Sequence, residues 1–181
     1  LNGIVSLPQL LLSEENLYDD QKDLLKYIQQ SGYRMLNMIN MSLSLYQMEK
    51  GEYDFYSRPT DVVPIIQDIQ KDLSTLCSSY QNSISVSLAG AKDVNGFVVS
   101  GDKLLCYTML SNLIRNAVES TPQGDNVHIQ LEEAEPNQAK ISIHNPMMIP
   151  EQIQEQLGQK YVTAEKKKGT GLGVYSVRLI V

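Results

Sequence analysis

Between residues 20 and 50 the apolar side chains keep to three- and four-residue steps, and after Gly51 they no longer do. This change of period constrains the fold more than any other feature. In the first stretch Leu25, Ile28, Met35, Ile39 and Tyr46 fall along one helical seam, which Leu24, Leu36, Leu43 and Leu45 widen. Ile4, Leu10, Leu11 and Leu12 close an earlier helix, and residues 13–20 form a polar connection. The first fifty residues therefore read as a helical hairpin. Pro8 lies inside its first helix and, lacking an N–H, should bend or break it. The apolar stripe is too wide for two helices to cover, so a partner is expected, most simply a second copy completing a four-helix bundle. Met35, Met38, Met41 and Met48 read as adaptable core filling rather than as ligands.

Beyond Gly51 the pattern is mixed. Tyr53-Asp54-Phe55-Tyr56 reads as a short strand. Thr60 or Asp61 caps a helix whose Val62, Ile65, Ile66, Ile69, Leu73, Leu76 and Cys77 share a face. Ile84, Val86 and Leu88 alternate with serines, the mark of a half-buried strand. A second strand covers residues 97–100, and Asp102 caps a helix to about Ser120. Val127, Ile129 and Leu131 then pair in a hairpin with Ile141 and Ile143 across Pro136-Asn137-Gln138. Pro150 starts a short helix, and a Lys- and Gly-rich loop over residues 160–173 leads into the last one. The expected fold class is α+β, in two domains: a helical hairpin over residues 1–51 and a sheet with helices on one face over residues 52–181.

Composition removes several functions. Twenty-one acidic against fifteen basic side chains give a net charge of −6, which argues against general nucleic-acid binding, because releasing counterions needs a basic face. No apolar run is long enough to span a bilayer. Cys77 and Cys106 sit in helical apolar patterns and read as reduced core thiols of a cytoplasmic protein. Because the sequence opens at Leu1-Asn2-Gly3-Ile4 and closes on Val181, it reads as a piece of a longer protein.

Two features carry chemistry. On the helix from Asp102, the residues Cys106, Leu110, Leu113, Ile114 and Ala117 make the core face, while Asn112, Asn116 and Glu119 lie within roughly 60° of one another on a different face. Asparagine is neutral to unfavourable inside a helix, so two of them one turn apart are either a solvated face with a weak side-chain pair or the polar floor of a ligand site. An amide oxygen there suits a hard cation such as Mg²⁺. The second feature is Lys166-Lys167-Lys168-Gly169-Thr170-Gly171-Leu172-Gly173. Glycines at alternate positions before a helix bring backbone N–H groups toward one point, which makes either an anion site or a plain surface loop. The pattern is neither a Walker loop nor a dinucleotide fingerprint.

In combination these residues are specific. The run Asn112-Leu113-Ile114-Arg115-Asn116-Ala117, followed by Thr121-Pro122, a strand hairpin, Ile149-Pro150-Glu151 and Gly169-Thr170-Gly171-Leu172-Gly173, resembles the ATP-binding domain of two-component sensor histidine kinases. Those domains have the gyrase-like GHKL (Bergerat) fold, a two-layer α/β sandwich. Leu1-Asn2-Gly3-Ile4 resembles the segment after the family's phosphoacceptor motif, and Met48-Glu49-Lys50-Gly51-Glu52 the end of its second dimerisation helix. The resemblance implies an ATP-dependent protein-histidine kinase that uses ATP and Mg²⁺, forms a homodimer through residues 1–50 and hands its phosphoryl group to a response-regulator receiver domain. Asn116 would ligate Mg²⁺, with Asn112 and Glu119 beside the nucleotide. Gly169, Thr170, Gly171, Leu172 and Gly173 would cap the phosphates, and the segment from Lys160 to Lys168 would form the ATP lid. Related gyrase-type ATPases carry a Glu at the Asn112 position to activate water; an amide cannot accept that proton, so the resemblance favours phosphoryl transfer over hydrolysis.

Two departures from the family stand out. Its adenine-reading Asp-x-Gly-x-Gly is matched here by His144-Asn145-Pro146-Met147-Met148, in which Asn145 takes the Asp position and Met147 faces the purine side. The only histidines are His128, expected to be exposed on a strand, and His144, and neither lies in the hairpin; the acceptor is expected upstream of Leu1, and the last strands of the sheet beyond Val181. A kinase-like dimeric scaffold with weak or no nucleotide binding is the alternative reading.

Overall fold

The structure is a computed structural model that describes residues 2–14, 16–89, 96–135, 138–162 and 171–181. It divides into two compact units, Leu1–Tyr53 and Asp54–Val181.

The first unit is a hairpin of α1 (Asn2–Leu11) and α2 (Asp19–Lys50). Asp19 and Asp20 stand in the first turn of α2 and Lys50 in its last, each placed to suit the helix dipole. The Tyr18 N–H donates to Gln21 Oε1 at 3.1 Å, satisfying the chain just ahead of the helix. The helix ends at Gly51, whose φ of +70° lets the Gly51 and Glu52 amides turn back to Met48 and Gln47. Of the bend or break expected at Pro8, the break does not occur: the helix runs through it to Leu11. Proline removes the bond that the Ile4 carbonyl would otherwise accept, and Gly32 of α2 packs at that point. A β-carbon on Gly32 would lie 3.4 Å from the Ile4 oxygen and 3.0 Å from the Ile4 and Val5 methyls. Gly32 of α2 thus packs on α1 where that helix has lost an internal bond. Much of the α2 seam stays exposed within the single chain, including Leu24, Ile28, Met35 and Ile39.

The second unit begins with β1 (Arg58–Asp61), α3 (Val62–Asp72), α4 (Ser74–Tyr80) and β2 (Ser83–Leu88). After these come β3 (Val98–Gly101), α5 (Lys103–Ser120), β4 (Asn126–Glu135), β5 (Gln138–His144), α6 (Glu151–Gln154) and α7 (Gly173–Ile180). The strand expected at residues 53–56 is displaced to β1, which pairs antiparallel with β3. Polar contacts set that register: Thr60 Oγ1 donates to the Gly101 carbonyl at 2.9 Å, and Asp61 Oδ1 accepts from the Phe97 and Val63 amides at 3.0 Å each. Asp61, rather than Thr60, is therefore the cap of α3. The single helix expected over residues 62–77 is two, because Ser74 Oγ donates back to the Lys71 carbonyl at 2.6 Å and the chain tightens at Leu73.

β4 is the central strand of a three-stranded sheet, parallel to β2 and antiparallel to β5. Ile84, Val86, Val127, Ile129, Leu131, Ile141 and Ile143 turn to the helices, where Ile66, Ile69 and Leu73 meet Leu110, Ile114 and Val118. Burial of each of the fully buried side chains among these contributes roughly 1.5–3 kcal/mol, so this layer holds α5 firmly against the sheet. The other face is polar. His128, expected to be exposed, is half-buried between two serines of β2, its Nδ1 3.0 Å from Ser85 Oγ and its Nε2 3.0 Å from Ser87 Oγ. In the ladder it stands opposite His144.

Candidate functional site

The site is built on α5. Asp102 Oδ1 accepts from the Leu104 and Leu105 amides at 2.8 and 3.1 Å, so the helix starts where the sequence placed its cap. Its buried face is Leu105, Cys106, Leu110, Ile114, Ala117 and Val118; Leu113, expected there, is half-buried. At the other end the buried Asn82 donates to the Thr121 carbonyl at 3.2 Å and accepts from the Gly124 amide at 2.9 Å. This amide clamps the end of α5 to the start of β2. With both ends fixed, the Asn112 and Asn116 side chains are held one turn apart along a rigid helix.

The start of α7 lies against them. A β-carbon on Gly173 would come 3.7 Å from both Asn112 Cγ and Asn116 Nδ2. One turn on, Ser176 is completely buried; its Oγ accepts from Asn112 Nδ2 at 3.1 Å and donates to the Gly173 carbonyl at 2.6 Å. Just before the helix the Tyr161 amide donates to the Gly171 carbonyl at 3.0 Å. Gly171 has φ +65°, and a β-carbon there would overlap the backbone of Tyr161 and Val162, so no other residue fits. Lys160 Nζ stands 5.2 Å from the centre of the Tyr175 ring on α7, a cation–π distance.

Asn145, just after β5, donates from Nδ2 to Ser120 Oγ at 3.1 Å, and Ser120 Oγ in turn donates to the Asn116 carbonyl at 2.7 Å. Asn145 is thereby tied to the C-terminal end of α5 through its nitrogen. Glu119 is exposed and lies 3.9 Å from Arg115 Nη1, an ion pair that contributes little. Met147 is 57% and Met148 87% exposed. Of the residues expected at the site, the structure brings together Asn112, Asn116 and Gly173, with Gly171 and Leu172 leading directly into α7 and Asn145 anchored one turn beyond Asn116. Lys168, Gly169 and Thr170 lie outside the described residues, as does the Pro136-Asn137 turn.

Ser176, Tyr161, Tyr175, Ser120 and Asn82 were not anticipated. Ser176 had a visible signal, since it is the one short polar side chain in the run Val174-Tyr175-Ser176-Val177. On the opposite flank Tyr107 Oη donates to Asp72 Oδ2 at 2.5 Å. Burial, and then this bond, push the phenol up to about 12. Burial also raises both thiols, Cys77 and Cys106, which keeps them in the unreactive protonated form. No cluster of three or more His, Cys, Asp or Glu side chains occurs among the described residues, nor does any helix there have the length and apolarity to cross a membrane.

Residues 101–181 match the model of the family described as histidine kinase-, DNA gyrase B- and HSP90-like ATPase. The whole chain is 28% identical over 191 residues to the signal transduction histidine-protein kinase BarA of Escherichia coli (strain K12), of which it spans 20%. It also resembles full-length ShkA in complex with AMPPNP, at a TM-score of 0.71 and 17% identity over 99% of this chain and 37% of that one. Histidine kinase ThkA, in a complex with the response regulator protein TrrA, matches 90% of this chain and 47% of its own at a TM-score of 0.53 and 17% identity. The order of elements from α5 to α7, the amides on the one and the glycines before the other, is the part that the family model covers. Residues 101–181 therefore carry a histidine kinase-, DNA gyrase B- and HSP90-like ATPase domain, and with the helical segment ahead of it the chain is similar to sensor histidine kinases, of which it spans only a part.

Proposed function

We propose that this chain is the donor half of an autophosphorylating histidine kinase in two-component signalling: residues 52–181 bind ATP with Mg²⁺ and deliver its terminal phosphoryl group to a histidine outside these 181 residues. The observation that carries the reading is the seat of Gly173 on Asn112 and Asn116 together. A side chain there would stand between the two amides and anything bound at the glycine-rich turn.

The residues present suit a hydrated Mg²⁺ held largely by its nucleotide. Without a carboxylate cluster among the described residues, the protein offers amide oxygens, and phosphates and water would complete an oxygen shell. Asn116 is the ligand assigned to it, and the ion would neutralise phosphate charge. Gly171, Leu172 and Gly173, with Gly169 and Thr170 before them, would direct backbone N–H groups at the phosphates, and Lys160 and Lys168 would add charge from the flanking segment. Asn145 has its nitrogen committed to Ser120, which leaves its oxygen to accept from the adenine amino group. Met147 would pack on the ring, and Glu119 lies on the rim. Asn112 can take no proton, so water bound beside it gains no general base. Catalysis then rests on placing donor and acceptor in line. The exposed apolar stripe of α2 supports a homodimer through residues 1–50, and the ThkA–TrrA complex supports a receiver domain as the next acceptor, in the cytoplasm.

The test is to incubate the protein, including the segment upstream of Leu1, with γ-labelled ATP and Mg²⁺. An acid-labile phosphoprotein that disappears in Asn116→Asp is expected; a stable label, or full labelling of that variant, contradicts the reading. One observation favours a second reading, a scaffold that binds no nucleotide. Where the family has glycines beside the purine, Pro146, Met147 and Met148 follow Asn145 here. A titration with Mg·ATP that never saturates would favour the scaffold.

A further inference from the structure

Ser176 is an alcohol with no exposed surface in the middle of an apolar helix, and a buried hydroxyl is retained only if its hydrogen-bonding capacity is used. Its single proton is spent on the Gly173 carbonyl at 2.6 Å. Toward Asn112 the same oxygen can then act only as an acceptor, and it does so at 3.1 Å. An asparagine amide has two faces of opposite character, NH₂ and C=O, which differ little in shape. A hydroxyl free to rotate would accept either face, whereas one already committed accepts only the NH₂. The order of donation, Asn112 to Ser176 to Gly173, therefore fixes the amide and turns the Asn112 oxygen away from the interior of α7.

Resting on the nucleotide reading above, the geometry points to Ser176 as a positioning residue that locks the Asn112 carboxamide with its oxygen outward, the face that would suit a hydrated Mg²⁺ rather than bare phosphate oxygens. An outward NH₂ would favour bare phosphate oxygens; an outward C=O favours the protons of water on a metal ion, or the ion itself. The same three-membered chain joins Asn112 on α5 to the first residue of α7, so the Asn112 amide and the end of the glycine turn are fixed by one alcohol. A serine that only filled space would leave the Asn112 amide free to turn over.

The test has a metal-free and a metal-dependent part. In the ¹⁵N-labelled chain without nucleotide, the Asn112 side-chain NH₂ signals (identified by their loss in Asn112→Asp) should be shifted and slow to exchange. They should move to ordinary solvent-exposed positions in Ser176→Ala and return in Ser176→Thr, which keeps the hydroxyl. ATP affinity is then measured with Mg²⁺ and with EDTA. Losing one fixed hydrogen-bonding group should cut the Mg²⁺-dependent gain about fivefold in Ser176→Ala. Affinity in EDTA should stay as in the wild type, and Ser176→Ala should add nothing in an Asn112→Ala background. Unmoved NH₂ signals, equal weakening with and without Mg²⁺, or additive losses would overturn the positioning role while leaving the nucleotide site intact. A wild-type chain that binds ATP under neither condition would remove the nucleotide reading and this role with it. Should Ser176→Ala fail to fold, Ser176→Thr decides: a folded Thr variant without the shifted NH₂ signals overturns the proposal.

Discussion

Asn112 on α5 gives its amide proton to Ser176 on α7, and through this bond two segments 64 residues apart present one surface. The helix that carries Asn112 is fixed by its Asp102 cap and by the Asn82 clamp. The helix that carries Ser176 is fixed by the Gly171 turn. What lies between them is a short polar floor with Gly173 on top, and the account of function depends on that floor.

Asn116 is exposed on α5, so its replacement should spare the fold and strike the ligand. Asn116→Ala is expected to leave the melting temperature nearly unchanged and to weaken Mg·ATP binding by tenfold or more, as removal of a direct metal ligand should. Calorimetric titration beside a thermal melt checks both halves, and a variant that melts early but binds normally would contradict the assignment.

Gly171→Ala should strike the local fold and the ligand together. At φ +65° and against the Tyr161 backbone a methyl group has no room, so the Tyr161–Gly171 bond must open. The backbone strain alone costs on the order of 1–2 kcal/mol. Limited proteolysis should cut the variant faster between residues 161 and 171 than elsewhere, and nucleotide affinity should fall with it.

Within the hairpin, Leu24, Ile28, Met35 and Ile39 are solvent-exposed in the single chain. If a second copy covers them, Ile28→Glu with Ile39→Glu places charges in the bundle core and should convert a dimer to a monomer in sedimentation, with little change in the helical signal. A double variant that sediments as the wild type would exclude this stripe as the dimer contact.

Tyr107 gives a pH dependence with a definite sign. Its folded-state value of about 12 lies above the ordinary phenol value of 10.0, so the folded protein holds the proton longer than the unfolded chain. The stability that comes with it is complete below about pH 10 and is lost as the pH rises toward 12. Denaturation at pH 9 and at pH 11.5 should show a larger loss for the wild type than for Tyr107→Phe, and an equal loss in both would contradict the Tyr107–Asp72 bond.

How far the residues alone reveal this molecule depends on the kind of interaction. Asp102 as a cap, the Ile84-Val86-Leu88 alternation and the α5 core face follow from local period and side-chain chemistry, and the structure has them. The early strand at residues 53–56 did not form, since Thr60 and Asp61 bind Gly101 and Phe97, partners about forty positions away that no local pattern reveals. The same holds for His128, whose two serine neighbours come from the parallel strand β2. Pro8 was expected to bend or break α1, which was read in isolation; the packing of Gly32 against Ile4 and Val5 is a tertiary fact. At the candidate site the residue types were legible as a motif, but the bonds of Ser176, Ser120 and Asn82, which set how those residues point, depend on helices meeting end to side.

The most direct measurement follows the ¹⁵N-labelled chain through a titration with Mg·ATP. The account predicts saturable shifts in the side-chain amides of Asn112, Asn116 and Asn145 and in the backbone amides of Gly171 and Gly173, with the polar face around His128 unmoved. Shifts concentrated elsewhere, or none at all at saturating nucleotide, would contradict it.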